Sequence, residues 1–146
     1  MTIWFDMDGT IANLYAVEDW LPKLQASDPS PYRDAAVMVN MSMLARRLNQ
    51  LRRIGYKIGI ISWLSKGSDE VYDTDVTAAK LNWLQQHLPS VMWDYINIVP
   101  YGTPKHKVCG EGCLFDDEAE NRENWDCGDA YNVDNILGIL RDLVKG

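Results

Sequence analysis

The chain has 146 residues, of which 47% are hydrophobic and 24% are charged, and this composition is typical of one globular domain. Its formal net charge of −7 argues against a general binding surface for long nucleic acid or for anionic membranes. No apolar run approaches the roughly 20 residues that span a bilayer. We therefore expect neither a membrane nor long nucleic acid as a partner. A small phosphorylated substrate stays compatible with the charge, because a bound divalent cation inverts the local field.

The N-terminus and the cysteines indicate the compartment. The chain begins directly with a strand-like segment, without the basic segment and apolar run of a signal peptide. Its three cysteines, an odd number, do not suggest a disulfide framework. We expect reduced thiols and a cytoplasmic location.

Short apolar runs alternate along the chain with segments of helical periodicity. The apolar runs predict strands at 2–7, 56–62, 95–100, 112–116 and 129–133. Apolar residues spaced three and four apart predict helices at 35–54, 75–88 and 135–144, the last of them capped by Asp134. This alternation predicts an α/β, Rossmann-like doubly wound fold, in which a mainly parallel sheet of about five strands carries helices on both faces.

Residues 13–34 fit neither periodicity and are rich in aromatic residues and proline. We expect a single domain over 1–146, with a small cap or lid insertion at about 13–34. The alternative is a loop with a short helix near 18–25 that packs its aromatic side chains on the core. The insertion is too short for a separate cap domain, which predicts an open or lightly lidded site.

Two carboxylates follow the first predicted strand. Asp6 and Asp8 are two residues apart and therefore point the same way at the strand end, and Gly9 permits a sharp turn after them. Clustered carboxylates beside apolar neighbours are costly unless a cation offsets them. The pattern predicts a metal-assisted phosphoryl site.

The other strand ends carry polar side chains as well. In an open parallel sheet, ligands bind at the carboxyl ends of the strands. The second predicted strand ends in Ser62 and the fourth in Asp116 and Asp117. The loop after the third strand supplies Lys105 and Lys107, and we favour Lys105 as the lysine of the site. The nearby Glu120 and Asn121 are expected on a helix surface.

These segments, in this order, resemble the four motifs of the haloacid dehalogenase-like (HAD) superfamily of phosphohydrolases. The matching residues are Asp6-Met-Asp8-Gly9-Thr10, Ile60-Ile-Ser62, Lys105 and Leu114-Phe-Asp116-Asp117. The first and last motifs are the specific ones, and they look most like those of small nucleotidase- and deoxyribonucleotidase-type members.

The resemblance implies a role for each motif residue. Asp6 is expected as the nucleophile and Asp8 as the general acid and base, with Ser62 and Lys105 completing the catalytic set. Gly9, Thr10 and Trp63 are expected beside Ser62 and Lys105 at the phosphoryl group. Mg²⁺ is the implied cofactor, and its expected ligand set comprises Asp6, Asp8 through its backbone carbonyl, Asp116 and, in an outer position, Asp117.

The implied function is Mg²⁺-dependent phosphomonoester hydrolysis through an aspartyl-phosphate, with transfer to a second metabolite as the variant of the same chemistry. A (deoxy)nucleotide monophosphate is the favoured substrate, because four aromatic residues are available to stack a base. These residues are Tyr15, Trp20, Tyr32 and Trp63. The alternatives are sugar phosphates, the 3′-phosphate ends of nucleic acid, or a non-enzymatic binding or regulatory module on the same fold.

Overall fold

The computed structural model describes residues 1–146 as seven strands and seven α-helices. The strands are β1 (Thr2–Phe5), β2 (Ala12–Asn13), β3 (Ala36–Val37), β4 (Lys57–Trp63), β5 (Tyr95–Val99), β6 (Gly112–Phe115) and β7 (Ala130–Tyr131). The helices are α1 (Trp20–Gln25), α2 (Ser30–Asp34), α3 (Met41–Arg53), α4 (Glu70–His87), α5 (Lys105–Val108), α6 (Ala119–Asn124) and α7 (Ile136–Lys145). None of the helices is both long enough and apolar enough to cross a membrane.

Five strands form one parallel sheet in the order β5-β4-β1-β6-β7. β1 lies at the centre and pairs with β4 on one side and with β6 on the other, so that Phe5 is opposite both Ile60 and Phe115. The predicted α/β fold with a five-stranded parallel sheet is confirmed. All five predicted strands are present, each within two residues of its expected bounds.

Alternation along the strands divides the core between the two faces of the sheet. Ile3 and Phe5 of β1 belong to the main cluster, which also contains buried residues of α3, α4 and α7. Trp4, between them, faces the other way and packs with Cys109 and Trp125, the residues that directly follow α5 and α6. All three cysteines are free thiols.

Residues 13–34, here called the lid segment, form a short 3-10 helix (Leu14–Ala16) followed by α1 and α2. Leu14 and Tyr32 of this segment are buried against Tyr72, Val76 and Ala79 of α4. The Tyr72 hydroxyl also donates to the Asp28 carbonyl oxygen at 2.9 Å. The lid segment therefore packs on α4, the helix that follows β4.

Two predicted helix starts and one predicted helix cap were wrong. α3 begins at Met41 rather than 35, because Ala36–Val37 pairs antiparallel with β2 and the Asn40 side chain caps the helix by accepting from the Met43 amide. α4 begins at Glu70 rather than 75, since Asp69 caps it through the Tyr72 amide at 2.8 Å. Asp134 does not cap α7, because it lies inside a 3-10 turn (Val133–Asn135) that precedes the helix.

Candidate active site

The parallel register brings the ends of β1 and β6 together. Beyond the last paired residues, the Asp6 amide donates to the Phe115 carbonyl at 3.0 Å, and the Asp116 amide donates to the Tyr131 carbonyl at 3.1 Å. Asp6 and Asp116 therefore leave neighbouring strands side by side. Their side chains are buried, with relative exposures of 9% and 0%.

Three carboxylates converge at this edge of the sheet. Ligand oxygens of Asp6, Asp116 and Asp117 all lie within 4.8 Å of one another. Burial, together with the Asp6 carboxylate, raises the pKa of Asp116 to about 6 and that of Asp117 to about 8. The raised pKa values mark a place where negative charge is insufficiently compensated. A hard divalent cation such as Mg²⁺, which prefers oxygen ligands, fits this donor set.

Lys105 lies between two of these carboxylates. Its Nζ is 2.9 Å from Asp6 Oδ1 and 2.7 Å from Asp116 Oδ2, and only 2% of its side chain is exposed. Burial works against the charged form, but the two carboxylates outweigh it and raise the pKa of Lys105 above its usual range. Lys107, the other candidate, is exposed on α5. The Lys105 ammonium also lies 5.2 Å from the centre of the Trp63 ring.

The turn after β1 shapes the acidic cluster. The Thr10 hydroxyl is 3.1 Å from Asp6 Oδ2 and 3.4 Å from Asp117 Oδ1. Gly9 adopts a φ of +81°, and a β-carbon there would collide with the Asp117 carboxylate and the Tyr15 ring. Glycine at this position therefore provides both the turn and the space that Asp117 occupies.

Asp8 lies outside this cluster of three carboxylates and pairs with a different lysine, Lys80. Lys80 Nζ donates to Asp8 Oδ2 at 3.0 Å, to Ser62 Oγ at 2.6 Å and to the Trp63 carbonyl oxygen at 2.7 Å. Burial raises the pKa of Asp8, although the Lys80 ammonium opposes this shift. Ser62, at the end of β4, is fully buried. The predicted residues Asp8 and Ser62 thus meet through a lysine that the sequence analysis did not identify.

A sequence signal for Lys80 existed. Lys80 follows Val76 by four residues and precedes Leu84 by four, so it occupies the buried stripe of α4, where a lysine is unusual.

The prediction that Asn121 lies on a helix surface was wrong. Asn121 is buried, and its Nδ2 donates to Asp116 Oδ2 at 3.1 Å. Glu120 is exposed, as expected.

A cavity of about 470 Å³ opens over these groups. Asp6, Asp8, Lys105 and Asp117 line its floor. Aromatic side chains line its walls, with contributions from the lid segment, the end of β4 and the loop before α5. They are Tyr15, Trp20, Tyr32, Trp63 and Tyr101. They include two ring pairs, Tyr15 with Trp20 and Trp63 with Tyr101, each with centroids 5.0 Å apart. The four aromatic residues singled out in the sequence are therefore all at this cavity.

No protein-family model matches the sequence, and no curated protein matches it. Among solved structures, the fold is similar to that of a D,D-heptose 1,7-bisphosphate phosphatase from Burkholderia thailandensis. The two chains align with a TM-score of 0.55 over 99% of each, at 11% sequence identity. The alignment establishes a shared fold. The expected α/β fold with a mainly parallel sheet is thereby confirmed over nearly the entire chain.

Proposed function

We propose that this protein is a Mg²⁺-dependent phosphomonoesterase in which Asp6 is the nucleophile. The observation that carries the proposal is the placement of Asp6 at the floor of an accessible cavity, bonded to Lys105 and to the Thr10 hydroxyl. Phosphoryl transfer needs positioning and charge stabilisation more than any other contribution from a protein. The buried Lys105 ammonium holds Asp6 in place and offsets negative charge, and the neighbouring carboxylates provide oxygen ligands for a metal ion.

In the first step, an Asp6 carboxylate oxygen attacks phosphorus and the bond to the leaving oxygen breaks. The leaving oxygen takes a proton from Asp8, and an aspartyl-phosphate remains on Asp6. Lys105 makes two of its three possible N–H bonds to Asp6 and Asp116, so its third N–H is available to a phosphoryl oxygen. The Ser62 hydroxyl accepts from Lys80, but Ser62 is fully buried and does not line the cavity, so the expected contact of Ser62 with a phosphoryl oxygen is not part of this proposal.

In the second step, water attacks the phosphorus of the aspartyl-phosphate. Asp8, now a carboxylate, takes the proton of that water, and phosphate leaves with Asp6 restored. Asp6 and Asp116, with the Asp8 backbone carbonyl, are the proposed Mg²⁺ ligands, and Asp117 is proposed to orient a water next to the ion. Bound Mg²⁺ would neutralise charge on the phosphoryl oxygens and on the nucleophile.

For the substrate we favour a nucleoside monophosphate. The aromatic walls of the cavity, with rings on both the lid segment and the end of β4, are suited to stacking a base. Sugar phosphates are the second candidate, because the structurally similar protein from Burkholderia thailandensis is a heptose bisphosphate phosphatase. The 3′-phosphate ends of nucleic acid are a third candidate, against which the net charge of −7 counts.

The test is phosphate release from a panel of phosphomonoesters with Mg²⁺ and with EDTA. The panel comprises 4-nitrophenyl phosphate, 5′- and 3′-(deoxy)nucleotides, sugar phosphates and a 3′-phosphorylated oligonucleotide. Asp6→Asn serves as the blank, and Asp142→Asn, a change on the exposed surface of α7, is the matched control. Release that requires Mg²⁺ and Asp6 supports the proposal. Mg²⁺ binding without release from any compound would favour the alternative of a binding or regulatory module.

A further inference from the structure

Lys80 is a buried charge that the mechanism above does not use. Its side chain is 1% exposed, and it lies on a helix stripe made otherwise of apolar residues. Burying an ammonium is costly unless its donors are satisfied. The reason for burying Lys80 must therefore lie in its hydrogen-bond partners.

The partners of Lys80 use its full donor capacity. An ammonium has three N–H donors, and Lys80 has three acceptors within 3.0 Å: Asp8 Oδ2, Ser62 Oγ and the Trp63 carbonyl oxygen. The Tyr32 ring of the lid segment lies against it, with the ring centroid 5.0 Å from Nζ. The Tyr32 hydroxyl is in turn 2.5 Å from Ser65 Oγ. Lys80 thus has no N–H left for a substrate, in contrast to Lys105.

The contact with Asp8 distinguishes the two oxygens of that carboxyl group. Oδ2 accepts from Lys80, whereas Oδ1 has no hydrogen bond within the protein and is the oxygen left to face a substrate. Asp8 is 16% exposed and lines the cavity, so the group has access to a bound phosphomonoester. Lys80 also fixes Asp8 relative to Ser62, because one Nζ bonds both side chains.

We propose that Lys80 is a positioning residue for proton transfer, which orients Asp8 so that Oδ1 delivers its proton to the leaving oxygen. This inference rests on the proposed phosphomonoesterase function. In the step that it concerns, the bond between phosphorus and the leaving oxygen breaks and its electron pair goes to that oxygen. The proton of Asp8 Oδ1 then neutralises the oxygen, and Asp8 is left as a carboxylate bonded to Lys80.

The test uses the dependence of rate on the leaving group. A good leaving group such as 4-nitrophenolate departs with little help from an acid, whereas phenolate and alkoxides need the proton. In Lys80→Met, kcat/KM for 4-nitrophenyl phosphate is expected to stay within about tenfold of the wild-type value. For phenyl phosphate and glycerol phosphate it is expected to fall by about 10²- to 10⁴-fold, the usual contribution of general acid catalysis.

Two further measurements separate positioning from other roles. The inhibition constant of inorganic phosphate is expected to stay within about twofold of wild type in Lys80→Met, since Lys80 has no donor for phosphate. In an Asp8→Asn background, adding Lys80→Met is expected to leave the leaving-group dependence unchanged, because the residue acts through Asp8. Lys145→Met, at the exposed end of α7, is the matched control.

The outcomes are distinct. The ratio of kcat/KM values for two substrates is independent of the folded fraction, so partial misfolding of Lys80→Met does not obscure it. An unchanged ratio would overturn the inference, and so would equal losses on all substrates with weaker phosphate inhibition, which would place Lys80 on the phosphoryl group. If the wild-type protein releases phosphate from no compound of the panel with Mg²⁺, the proposed function fails and this inference fails with it.

Discussion

Lys105 and Asp6 form an ion pair inside the protein, with 2.9 Å between Nζ and Oδ1, although they are 99 residues apart in the chain. The lysine comes from the first turn of α5 and the aspartate from the end of β1. A buried ion pair is costly to break because the remaining charge has no solvent to stabilise it. The pair therefore links the stability of this edge of the sheet to its proposed chemistry.

Replacing Lys105 with methionine should reduce both activity and stability. The free energy of unfolding in EDTA is expected to fall by about 3–5 kcal/mol, the usual cost of removing one partner of a buried pair. Turnover is expected to fall by at least about a hundredfold, because charge on Asp6 and the phosphate is no longer offset. Urea unfolding and phosphate release measure the two effects.

Lys107→Met is the matched control for this change. Lys107 is exposed on the same short helix, so its loss should alter stability by less than about 0.5 kcal/mol and leave turnover near wild type. Equal losses of activity in the two variants would contradict the assignment of the site lysine to Lys105.

Gly9→Ala should disturb the proposed metal site through Asp117. A β-carbon at residue 9 would collide with the Asp117 carboxylate, and the φ of +81° is strained for alanine. We expect a stability loss of about 1–3 kcal/mol and an increase of at least about tenfold in the Mg²⁺ concentration that gives half-maximal activity.

Gly67→Ala separates the two causes. Gly67 also has a positive φ, of +69°, but a β-carbon there has open space around it. Its substitution should reduce stability through backbone strain alone, with no change in Mg²⁺ dependence. A shifted Mg²⁺ dependence in Gly67→Ala, or none in Gly9→Ala, would show that contact with Asp117 is not the cause.

The stability of the metal-free protein should decrease as the pH rises from about 4 to about 8. The pKa values of Asp116 and Asp117 are raised in the folded state to about 6 and about 8, so the folded state binds more protons than the unfolded chain in this window. The contribution of these groups is complete below their unfolded pKa, near 4, and is lost as the pH passes the folded values. Comparing the Tm of the protein in EDTA at pH 5 and at pH 8 measures this contribution.

Mg²⁺ should reverse this trend. A cation competes with protons for the same oxygens, so it should raise Tm more at pH 8 than at pH 5. Each 1 kcal/mol by which Mg²⁺ stabilises the folded state should raise Tm by roughly 2–4 °C, the shift typical of a domain slightly larger than this one. An Asp117→Asn variant should lose much of the pH dependence. Equal Mg²⁺ stabilisation at both pH values would contradict a shared site for protons and metal.

Trp20→Ala should weaken binding of nucleotides selectively. Trp20 lies on the lid segment beside Tyr15 and lines the cavity. Loss of base stacking costs about 1–3 kcal/mol, so KM for a nucleoside monophosphate is expected to rise by about 5- to 150-fold. Glycerol phosphate has no ring to stack, so its KM should change little. A similar change for both substrates would argue against a base at this wall.

The sequence sufficed to predict the sheet and the grouping of carboxylates and a lysine at its edge, because both depend on short-range patterns. Apolar runs buried on both faces give strands, and their carboxyl ends carry Asp6, Ser62 and Asp116. Once the strands are parallel neighbours, Asp6 and Asp116 leave the sheet side by side, and Ser62 lies at the same edge. The start of α3 was mispredicted because Val37 continues the helical spacing of apolar residues, whereas its actual structure depends on pairing with the distant Ala12.

Lys80 and Asn121 were missed for a different reason. A polar residue on a helix is usually solvated, and a single sequence does not reveal its partner even where, as for Lys80, the periodicity places it on a buried stripe. Lys80 meets Asp8 across 72 residues of chain and Asn121 reaches back to Asp116 from the next helix. Such pairs depend on how α4 and α6 pack against the sheet, which local pattern does not specify.

The most direct test of the account is to trap the covalent intermediate. The wild-type protein is mixed with Mg²⁺ and its best substrate from the panel and quenched in acid within a turnover. Borohydride treatment then converts an aspartyl-phosphate into homoserine, which peptide mass spectrometry locates. Homoserine is expected at position 6 of the wild-type protein, and none in Asp6→Asn. Mg²⁺-dependent phosphate release with unmodified Asp6, or undiminished release by Asp6→Asn, would contradict it.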